Sequence, residues 1–276
     1  FMTCLFLGSS FAQVSPSINR MNPVTPTHKF VVYQMMFHLW GNQFKGPLKR
    51  NGSYLENGVT KFSDISNKGL QALKKKGITH LYATGLLEHA TMEDFSAFGS
   101  PLDHPMVVKG RAGSPFAIKD YYDVNPFLAT EPQHRMKEFA SMLERIHQQE
   151  MKLIIDFVPN HLARQYYSDQ KPKGVVDFGS NDQKDVSFSP KNNFYYLPGT
   201  QFDIPDGVHP PVESHIPYIE IPAKVSGNNV FSAKPSIHDW FAFVIRFTIN
   251  LQRCGTTLRK TFVNARKRPQ SRTKYN

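Results

Sequence analysis

The chain has 276 residues, enough for one large domain or two small ones, and 40% of them are hydrophobic, which can supply a core. Its net charge of +11 first suggests a nucleic-acid-binding protein. The excess lies at one end, however. Of 33 Lys and Arg residues, nine follow Asp239, where no acidic residue occurs, and 24 precede it together with 22 acidic residues. This distribution argues against a nucleic-acid-binding surface on the main body of the protein.

Three further features of the sequence concern where in the cell the protein is expected to be. Cys4 and Cys254 lie outside the predicted core, so no disulfide framework is indicated. No apolar run is long enough for a membrane-spanning helix. Residues 1–13 join a short apolar run to Ser10-Phe-Ala12, a small-x-small pattern typical of signal peptidase cleavage. We interpret them as the remnant of a secretory signal, followed by a linker at 14–29, and expect a secreted or periplasmic protein. An apolar N-terminus without that role is the alternative.

Apolar runs and helical periodicity alternate along the next part of the chain. Residues 30–37, 78–84 and 153–158 have the continuous apolar character of buried parallel strands. A helix with Ile65, Leu70 and Leu73 on its inner face, ended by Gly77, is predicted before the second strand. A second helix is predicted after a capping box at Thr130–Gln133, with Met136, Phe139, Ala140, Leu143 and Ile146 facing inward.

The third strand carries the first candidate functional residue. Asp156 interrupts the apolar run, and Pro159, which cannot donate to a strand ladder, ends the pairing just after it. An unpaired buried carboxylate would cost several kcal/mol, so partners are expected. The acid therefore lies near the carboxyl end of a parallel strand, and Asn160 and His161 lie on the loop beyond. Both α/β barrels and open α/β sheets place their chemistry at this end.

Asp156-Phe-Val-Pro-Asn-His161 resembles the first conserved segment of the alpha-amylase family of glycoside hydrolases, at the end of barrel strand three. A second segment, Phe116 to Pro126, resembles the family segment after strand two, with Phe116 in place of a sugar-stacking tyrosine. This resemblance covers about residues 30–240. It implies an incomplete (β/α)8 TIM barrel, strands one to three, over 30–161. An irregular inserted domain would follow strand three at 162–240.

The resemblance also implies roles for individual residues. His161 would bind sugar hydroxyls, Asp156 would organise the same site, and Phe116 would stack on a sugar ring. Asn160 would supply an oxygen to a structural Ca²⁺, whose other ligands stay open among Asp177, Asp182, Asp185 and nearby carbonyls. Each residue also has an ordinary alternative: Asp156 held by backbone N–H groups, Asn160 capping a turn, His161 as a loop histidine, and Phe116 and Tyr121 filling the core under a loop.

The catalytic part of the family pattern is absent from this sequence. A retaining glycosidase needs a nucleophilic and an acid/base carboxylate, which the family carries in a Gly-x-Arg-x-Asp segment and on a later strand. No Arg-x-Asp follows His161. We therefore expect an alpha-amylase-like glycoside hydrolase acting on alpha-glucans such as starch and maltodextrins, present as an N-terminal fragment and inactive as written. The alternative is a non-catalytic sugar-binding or partner module.

Residues 241–276 form a basic tail that we interpret as out of frame, because the family leads us to expect an acidic and basic helix there. Phe243, Ile245, Phe247, Ile249 and Leu251 alternate with other residues, so an amphipathic strand is the alternative. A basic nucleic-acid-binding arm is a further alternative, whose affinity should fall steeply with salt.

Overall fold

The computed structural model describes residues 29–159, 161–226, 231–236 and 245–246. The interpretations of residues 1–13, of Asn160 and of most of the basic tail therefore lie outside the described residues. The helices are α1 (Phe37–Trp40), α2 (Tyr54–Asn57), α3 (Asn67–Lys75) and α4 (Arg135–Gln148). The strands are β1 (Val32–Met36), β2 (His80–Thr84), β3 (Leu87–His89), β4 (Ile118–Val124), β5 (Lys152–Ile155), β6 (His161–Leu162), β7 (Tyr196–Leu197), β8 (Ala223–Lys224) and β9 (Ile245–Arg246). Over the described ranges, no helix is long and apolar enough to cross a membrane.

A parallel three-stranded sheet, in the order β1-β2-β5, organises the fold. Leu81 is the register partner of Tyr33 on one side and of Leu153 on the other. The predicted order of strand, helix, strand, helix, strand is confirmed. Because all three strands run in the same direction, their carboxyl ends lie at one edge of the sheet.

Helix α3 ends as the sequence predicts. Gly77 adopts a φ of +81°, which a residue with a Cβ rarely adopts. Its N–H donates to the Lys74 carbonyl at 2.8 Å, and the N–H of Ile78 donates to Leu73 at 3.3 Å. These two bonds form a Schellman motif, which satisfies carbonyls that the end of the helix would otherwise leave without partners. The motif turns the chain directly into β2.

The start of α4 differs from the prediction. The capping box at Thr130–Gln133 is wrong, because residues 132–134 form a short 3₁₀ helix and α4 begins at Arg135 without a side-chain cap. Instead, the Glu138 carboxylate reaches back and accepts the backbone N–H groups of Thr130 and Glu131, both at 2.8 Å. A carboxylate near a helix N-terminus is also favoured by the helix dipole.

The main core lies between the sheet and helices α3 and α4. The inner face of α4 carries Phe139, Met142 and Ile146, whereas the predicted inward Ala140 is exposed. Fully buried members of this core include Phe37, Phe62, Ile65, Leu70, Leu81, Leu86, Leu128, Met142 and Ile146. Burying each of these large side chains stabilises the fold by about 1.5–3 kcal/mol relative to leaving it exposed.

Burial of β5 on both faces was predicted, and this is wrong. Leu153, Ile154 and Ile155 are only partly buried, and Phe157 is 42% exposed. The reason is the position of β5 at one edge of the sheet, where the described residues supply no further strand. The apolar run in the sequence therefore did not ensure burial of β5, because this strand lies at an open edge of the sheet.

The segment at 85–129, which shows little periodicity, contains an antiparallel hairpin formed by β3 and β4. Asn125 holds its base: the side-chain amide donates to the carbonyls of Gly85 (3.1 Å) and Leu87 (2.6 Å) and accepts the N–H of His89 (3.0 Å). Asn125 is fully buried, so these bonds replace the water that its amide lost on folding.

Residues 161–226 contain little regular structure and are held by a buried ionic network. The Arg164 guanidinium forms a bidentate ion pair with the Glu220 carboxylate, with N–O distances of 2.6 and 3.3 Å. The same guanidinium lies 3.7 Å from the centre of the Phe202 ring. Lys224 donates to the Arg164 carbonyl at 2.8 Å. Burial alone would raise the pKa of Glu220, but the nearby Arg164 and Lys224 cations outweigh it and lower the pKa.

Strand β9 pairs antiparallel with β6, so that Ile245 lies opposite Leu162 and Arg246 opposite His161. These two residues belong to the alternating segment of the basic tail and form a short strand there. The partner is β6, beyond Pro159, and not the open edge of β5.

The Arg164–Glu220 pair generates a stability prediction. Replacing Glu220 by Gln leaves the Arg164 guanidinium buried without its counterion, so the free energy of unfolding should fall by about 3–5 kcal/mol. Urea unfolding monitored by fluorescence measures this change. Asp206→Asn is the matched control, because Asp206 pairs with Lys234 at the surface (2.9 Å, side chains 90% and 50% exposed) and should change little. Equal effects of the two substitutions would contradict the structural role of the buried pair.

Candidate functional site

Asp156 lies where β5 ends, at the edge shared by the carboxyl ends of the strands. Its N–H donates to the Ala83 carbonyl at 3.1 Å, and the Tyr82 hydroxyl donates to its carboxylate at 2.8 Å. The hydrogen bond to Asp156 is the main cause that raises the pKa of Tyr82. Two residues of β2 therefore fix the position of this carboxylate, which is partly buried and partly open to solvent.

His161 and Phe116 lie against each other, although 45 residues separate them along the chain. Burial lowers the pKa of the His161 imidazole, and a hydrogen bond to the Phe116 backbone carbonyl acts more weakly in the opposite direction. The ring of Phe116 is 45% exposed. The two family-like segments thus meet where the His161 imidazole contacts the Phe116 backbone.

Tyr121 holds these two segments together. Its hydroxyl lies within hydrogen-bonding distance of the Val158 carbonyl (2.6 Å) and the His161 carbonyl (3.0 Å). Its ring is buried and packs against Phe157 and Phe178, with centroids 5.4 and 6.1 Å away. Tyr121 therefore matches the core-filling alternative, whereas the exposure of Phe116 does not.

His38, directly after β1, adds a polar group at this edge that sequence reasoning missed. Gly85 at the end of β2 has a φ of +86°, and a Cβ there would lie 3.1 Å from Pro115 and 3.8 Å from His38 Nδ1. His38 Nδ1 is buried and has no hydrogen-bond partner in the described part of the chain. Burial lowers the pKa of this imidazole. The position of His38 after an apolar strand is the feature of the sequence that could have indicated this role.

The predicted Ca²⁺ site can be tested only at its alternative ligands, because Asn160 lies outside the described residues. Asp177 accepts the Ser168 N–H (3.1 Å) and pairs with Lys171 (2.9 Å). Asp182 accepts bonds from two backbone N–H groups and from the Tyr196 hydroxyl. Both carboxylates thus already accept hydrogen bonds from protein donors. Asp185 is exposed.

A different group of acids does come together, and sequence reasoning missed it. Glu88 on β3, Asp120 and Asp123 on β4, and Asp169 beyond β6 each place one carboxylate oxygen within 4.8 Å of the others. We call these four residues the acidic cluster. The first three are buried, at 2%, 0% and 1% exposure. Two features of the sequence could have indicated this cluster. One is the acidic Glu88 next to the apolar Leu86 and Leu87, and the other is the pair of aspartates in the second family-like segment.

The acidic cluster has one close cation. Arg135 contacts Asp123 at 2.6 Å and Asp169 at 2.8 Å. Glu88 accepts only the Ser100 hydroxyl, at 2.5 Å, and Asp120 accepts the Tyr122 N–H at 2.6 Å. Burial raises the pKa of Glu88 to about 8 and that of Asp120 to about 7.

Comparison with known proteins gives one family match. A model described as the alpha amylase catalytic domain matches residues 63–209, just over half of the 276-residue chain. Shorter matches join the chain to two curated proteins. One is the mouse amino acid transporter heavy chain SLC3A1, 38% identical over 48 residues, or 17% of this chain and 6% of that protein. The other is a Culex pipiens alpha-glucosidase, 37% identical over 51 residues, or 18% and 9%.

Solved structures of related enzymes resemble the chain over about half of its length. A Bacillus licheniformis trehalose-6-phosphate hydrolase is 20% identical with a TM-score of 0.32, covering 50% of this chain and 18% of the enzyme. A Lactobacillus plantarum alpha-amylase is 24% identical with a TM-score of 0.32, covering 49% and 24%. The chain thus spans less than a tenth of the curated relatives named above and about a fifth to a quarter of these solved structures.

The acidic cluster predicts an unusual pH dependence in metal-free buffer. Glu88 has a folded-state pKa of about 8, above its ordinary value of 4.5, so the folded protein holds a proton that the unfolded chain releases. Stability from this group is full below pH 4.5 and is lost as the pH rises toward 8, by at most about 1.4 kcal/mol per pH unit. Urea unfolding between pH 5 and 8 measures the slope. It should become shallower in Glu88→Gln, where Asp120 with its pKa of about 7 still contributes, and should be unchanged in the exposed control Glu144→Gln; an equal slope in both would contradict the assignment.

Proposed function

The chain belongs to the alpha-amylase family, whose members are glycoside hydrolases or transglycosylases, and on this premise we propose that it binds alpha-glucans at the carboxyl end of its parallel sheet. The family implies that β1, β2 and β5 are part of a (β/α)8 barrel. In such barrels the binding site is built at the carboxyl ends of the strands, the edge at which Asp156 lies.

The observation that carries the proposal is the hydrogen bond between the His161 imidazole and the backbone of Phe116. It joins the two family-like segments and leaves the Phe116 ring 45% exposed. A sugar ring has an apolar face of C–H groups, which a flat aromatic ring covers at little entropic cost. The imidazole, whose lowered pKa favours the neutral form near pH 7, donates its N–H to the Phe116 carbonyl, so its other ring nitrogen can accept a hydrogen bond from a sugar hydroxyl.

Asp156 is assigned a positioning role. Its carboxylate already accepts the Tyr82 hydroxyl, which leaves further acceptor positions for sugar hydroxyls or for a neighbouring donor. Because Tyr82 and Ala83 of β2 fix the orientation of Asp156, the carboxylate needs little reorganisation when a ligand binds.

Hydrolysis by this chain alone is not part of the proposal. A retaining mechanism needs two carboxyl groups about 5–5.5 Å apart on either side of the scissile bond. The described acids that cluster at a comparable spacing include Glu88 and Asp120, which are 2% and 0% exposed and therefore out of reach of a sugar. The family's Gly-x-Arg-x-Asp segment does not occur in the sequence given.

The proposal extends to the finer features that the family resemblance implies. Residues 162–240 would be the inserted domain; in support, Phe202 and Ala223 of this segment lie in a small core apart from the main one, to which Val107 of the preceding segment also contributes. Asn160 would contribute to a structural Ca²⁺, and the protein would be exported. Starch and maltodextrins are the proposed ligands.

A non-catalytic partner module is the second candidate. Its support is the match to the mouse amino acid transporter heavy chain, a protein named for a subunit role and not for hydrolysis. The two candidates differ in one measurable property, because a partner module need not bind sugar at the edge formed by Phe116 and His161.

Sugar binding is the first test. Maltoheptaose titrated into the chain should give saturable binding by isothermal titration calorimetry. Phe116→Ala and His161→Ala should each weaken it about tenfold, equivalent to about 1.4 kcal/mol, because one removes the stacking surface and the other a hydrogen-bonding group. Phe188→Ala is the matched control, since Phe188 is 57% exposed but packs on Tyr195.

The sugar-binding experiment can also reject the proposal. No heat of binding with maltoheptaose, or equal losses in the Phe116 and Phe188 variants, would remove the sugar-binding assignment and favour the partner-module candidate.

Hydrolysis is the second test. Because the family nucleophile and acid/base segments are absent from the sequence, the purified chain should release no reducing sugar from starch above the buffer blank. Turnover that disappears in Asp156→Asn would overturn this expectation and would show that Asp156 acts in the reaction itself.

A further inference from the structure

The acidic cluster contains more buried negative charge than its neighbours compensate. Four carboxylates face a single guanidinium, that of Arg135, which pairs with Asp123 and Asp169 and donates its remaining described bond to the Pro132 carbonyl. Lys119, the other nearby cation, is paired with Asp103 at 2.8 Å. Uncompensated buried charge costs several kcal/mol per ion, so the cluster needs a further positive species.

Unpartnered oxygens point to where that species would bind. Glu88 Oε2, Asp120 Oδ2 and Asp169 Oδ1 are fully buried and have no hydrogen-bond partner among the described residues. Glu88 and Asp120 are themselves 2% and 0% exposed. Native proteins rarely leave buried acceptors unsatisfied, and a bound ion is one established way to satisfy them.

The spacing of the oxygens identifies the class of ion. One oxygen from each of the four acids lies within 4.8 Å of the others. Oxygens on opposite sides of a Ca²⁺ ion, each at about 2.4 Å, would be about 4.8 Å apart. The buried Ser168 hydroxyl beside Asp120 offers a fifth oxygen. A set made only of oxygens suits Ca²⁺ and does not suit Zn²⁺, which prefers nitrogen and sulfur.

The backbone also accommodates the cluster. Gly99 has a φ of +91°, and a Cβ there would lie 2.0 Å from Asp169 Oδ2. Asp169 can therefore approach the hairpin only because residue 99 has no side chain.

We propose that Glu88, Asp120, Asp123 and Asp169 bind one divalent cation of the oxygen-preferring class, Ca²⁺ in the first instance. The ion joins the β3–β4 hairpin to the segment beyond β6, since Glu88, Asp120 and Asp123 come from the hairpin and Asp169 from that segment. Arg135 remains bound to Asp123 and Asp169 and supplies a third positive charge, so that the ion and the guanidinium together balance three of the four carboxylate charges. This site shares no residue with the Ca²⁺ that the family resemblance places at Asn160.

Calcium-dependent stability tests the proposal on the full 276-residue chain. After treatment with a chelator and dialysis, CaCl₂ should raise the thermal unfolding midpoint by several degrees, and the rise should grow with the logarithm of the Ca²⁺ concentration. MgCl₂ should act more weakly, because Mg²⁺ demands shorter distances and keeps its waters.

Isosteric variants assign the site. Glu88→Gln and Asp120→Asn remove a buried charge while keeping shape, so both should fold and should lose the Ca²⁺-dependent shift. Asp177→Asn is the matched control, because Asp177 pairs with Lys171 outside the cluster and its variant should keep the shift. Asn160→Ala should also keep it, which separates this site from the one implied by the family.

Two outcomes overturn the proposal. If the wild-type chain shows no Ca²⁺-dependent shift, protons and not a cation neutralise the acidic cluster. If the shift survives in Glu88→Gln and Asp120→Asn but is lost in Asn160→Ala, the only cation bound is the one expected from the family.

Discussion

The arrangement of the candidate site depends on the hydroxyl of Tyr121, which bridges two segments that are distant along the chain. By approaching the carbonyls of Val158 and His161, it fixes the turn of the backbone after β5. These carbonyls face a buried ring, where water cannot replace a lost hydrogen bond cheaply. His161 is thereby held where its imidazole meets the Phe116 carbonyl. The geometry of the site thus follows from one satisfied polar contact inside an aromatic cluster.

Two aromatic residues near this contact differ in how far they are exposed to solvent. Tyr121 is 4% exposed and Phe116 is 45% exposed, although both belong to the same family-like segment. Strand β4 begins at Ile118, so residues from there onward are buried in the hairpin, whereas Phe116 precedes the strand on the loop. An aromatic ring on such a loop, beside a rigid sheet, is well placed to contact a ligand without disturbing the core.

Two polar networks lie beside small apolar clusters in the irregular parts of the chain. Arg164 and Glu220 neutralise each other within residues 161–226, and the pair is closed by a stacked Phe202 ring. The acidic cluster is not neutralised by Arg135 alone. The two networks differ in the ratio of negative to positive charges. One carboxylate and one guanidinium cancel in the bidentate pair, whereas four carboxylates around one guanidinium leave an excess of negative charge.

Local patterns determined the three parallel strands, helices α3 and α4, and the Gly77 cap, because hydrophobic periodicity and glycine chemistry act between near neighbours. They also marked Phe116, Asp156 and His161 through two spaced segments. Only the tertiary structure decided that β5 is half exposed, that Tyr121 is a core residue, and that Glu88 joins three aspartates. These outcomes depend on which distant segments meet and on how much water they exclude, and no local spacing encodes either quantity.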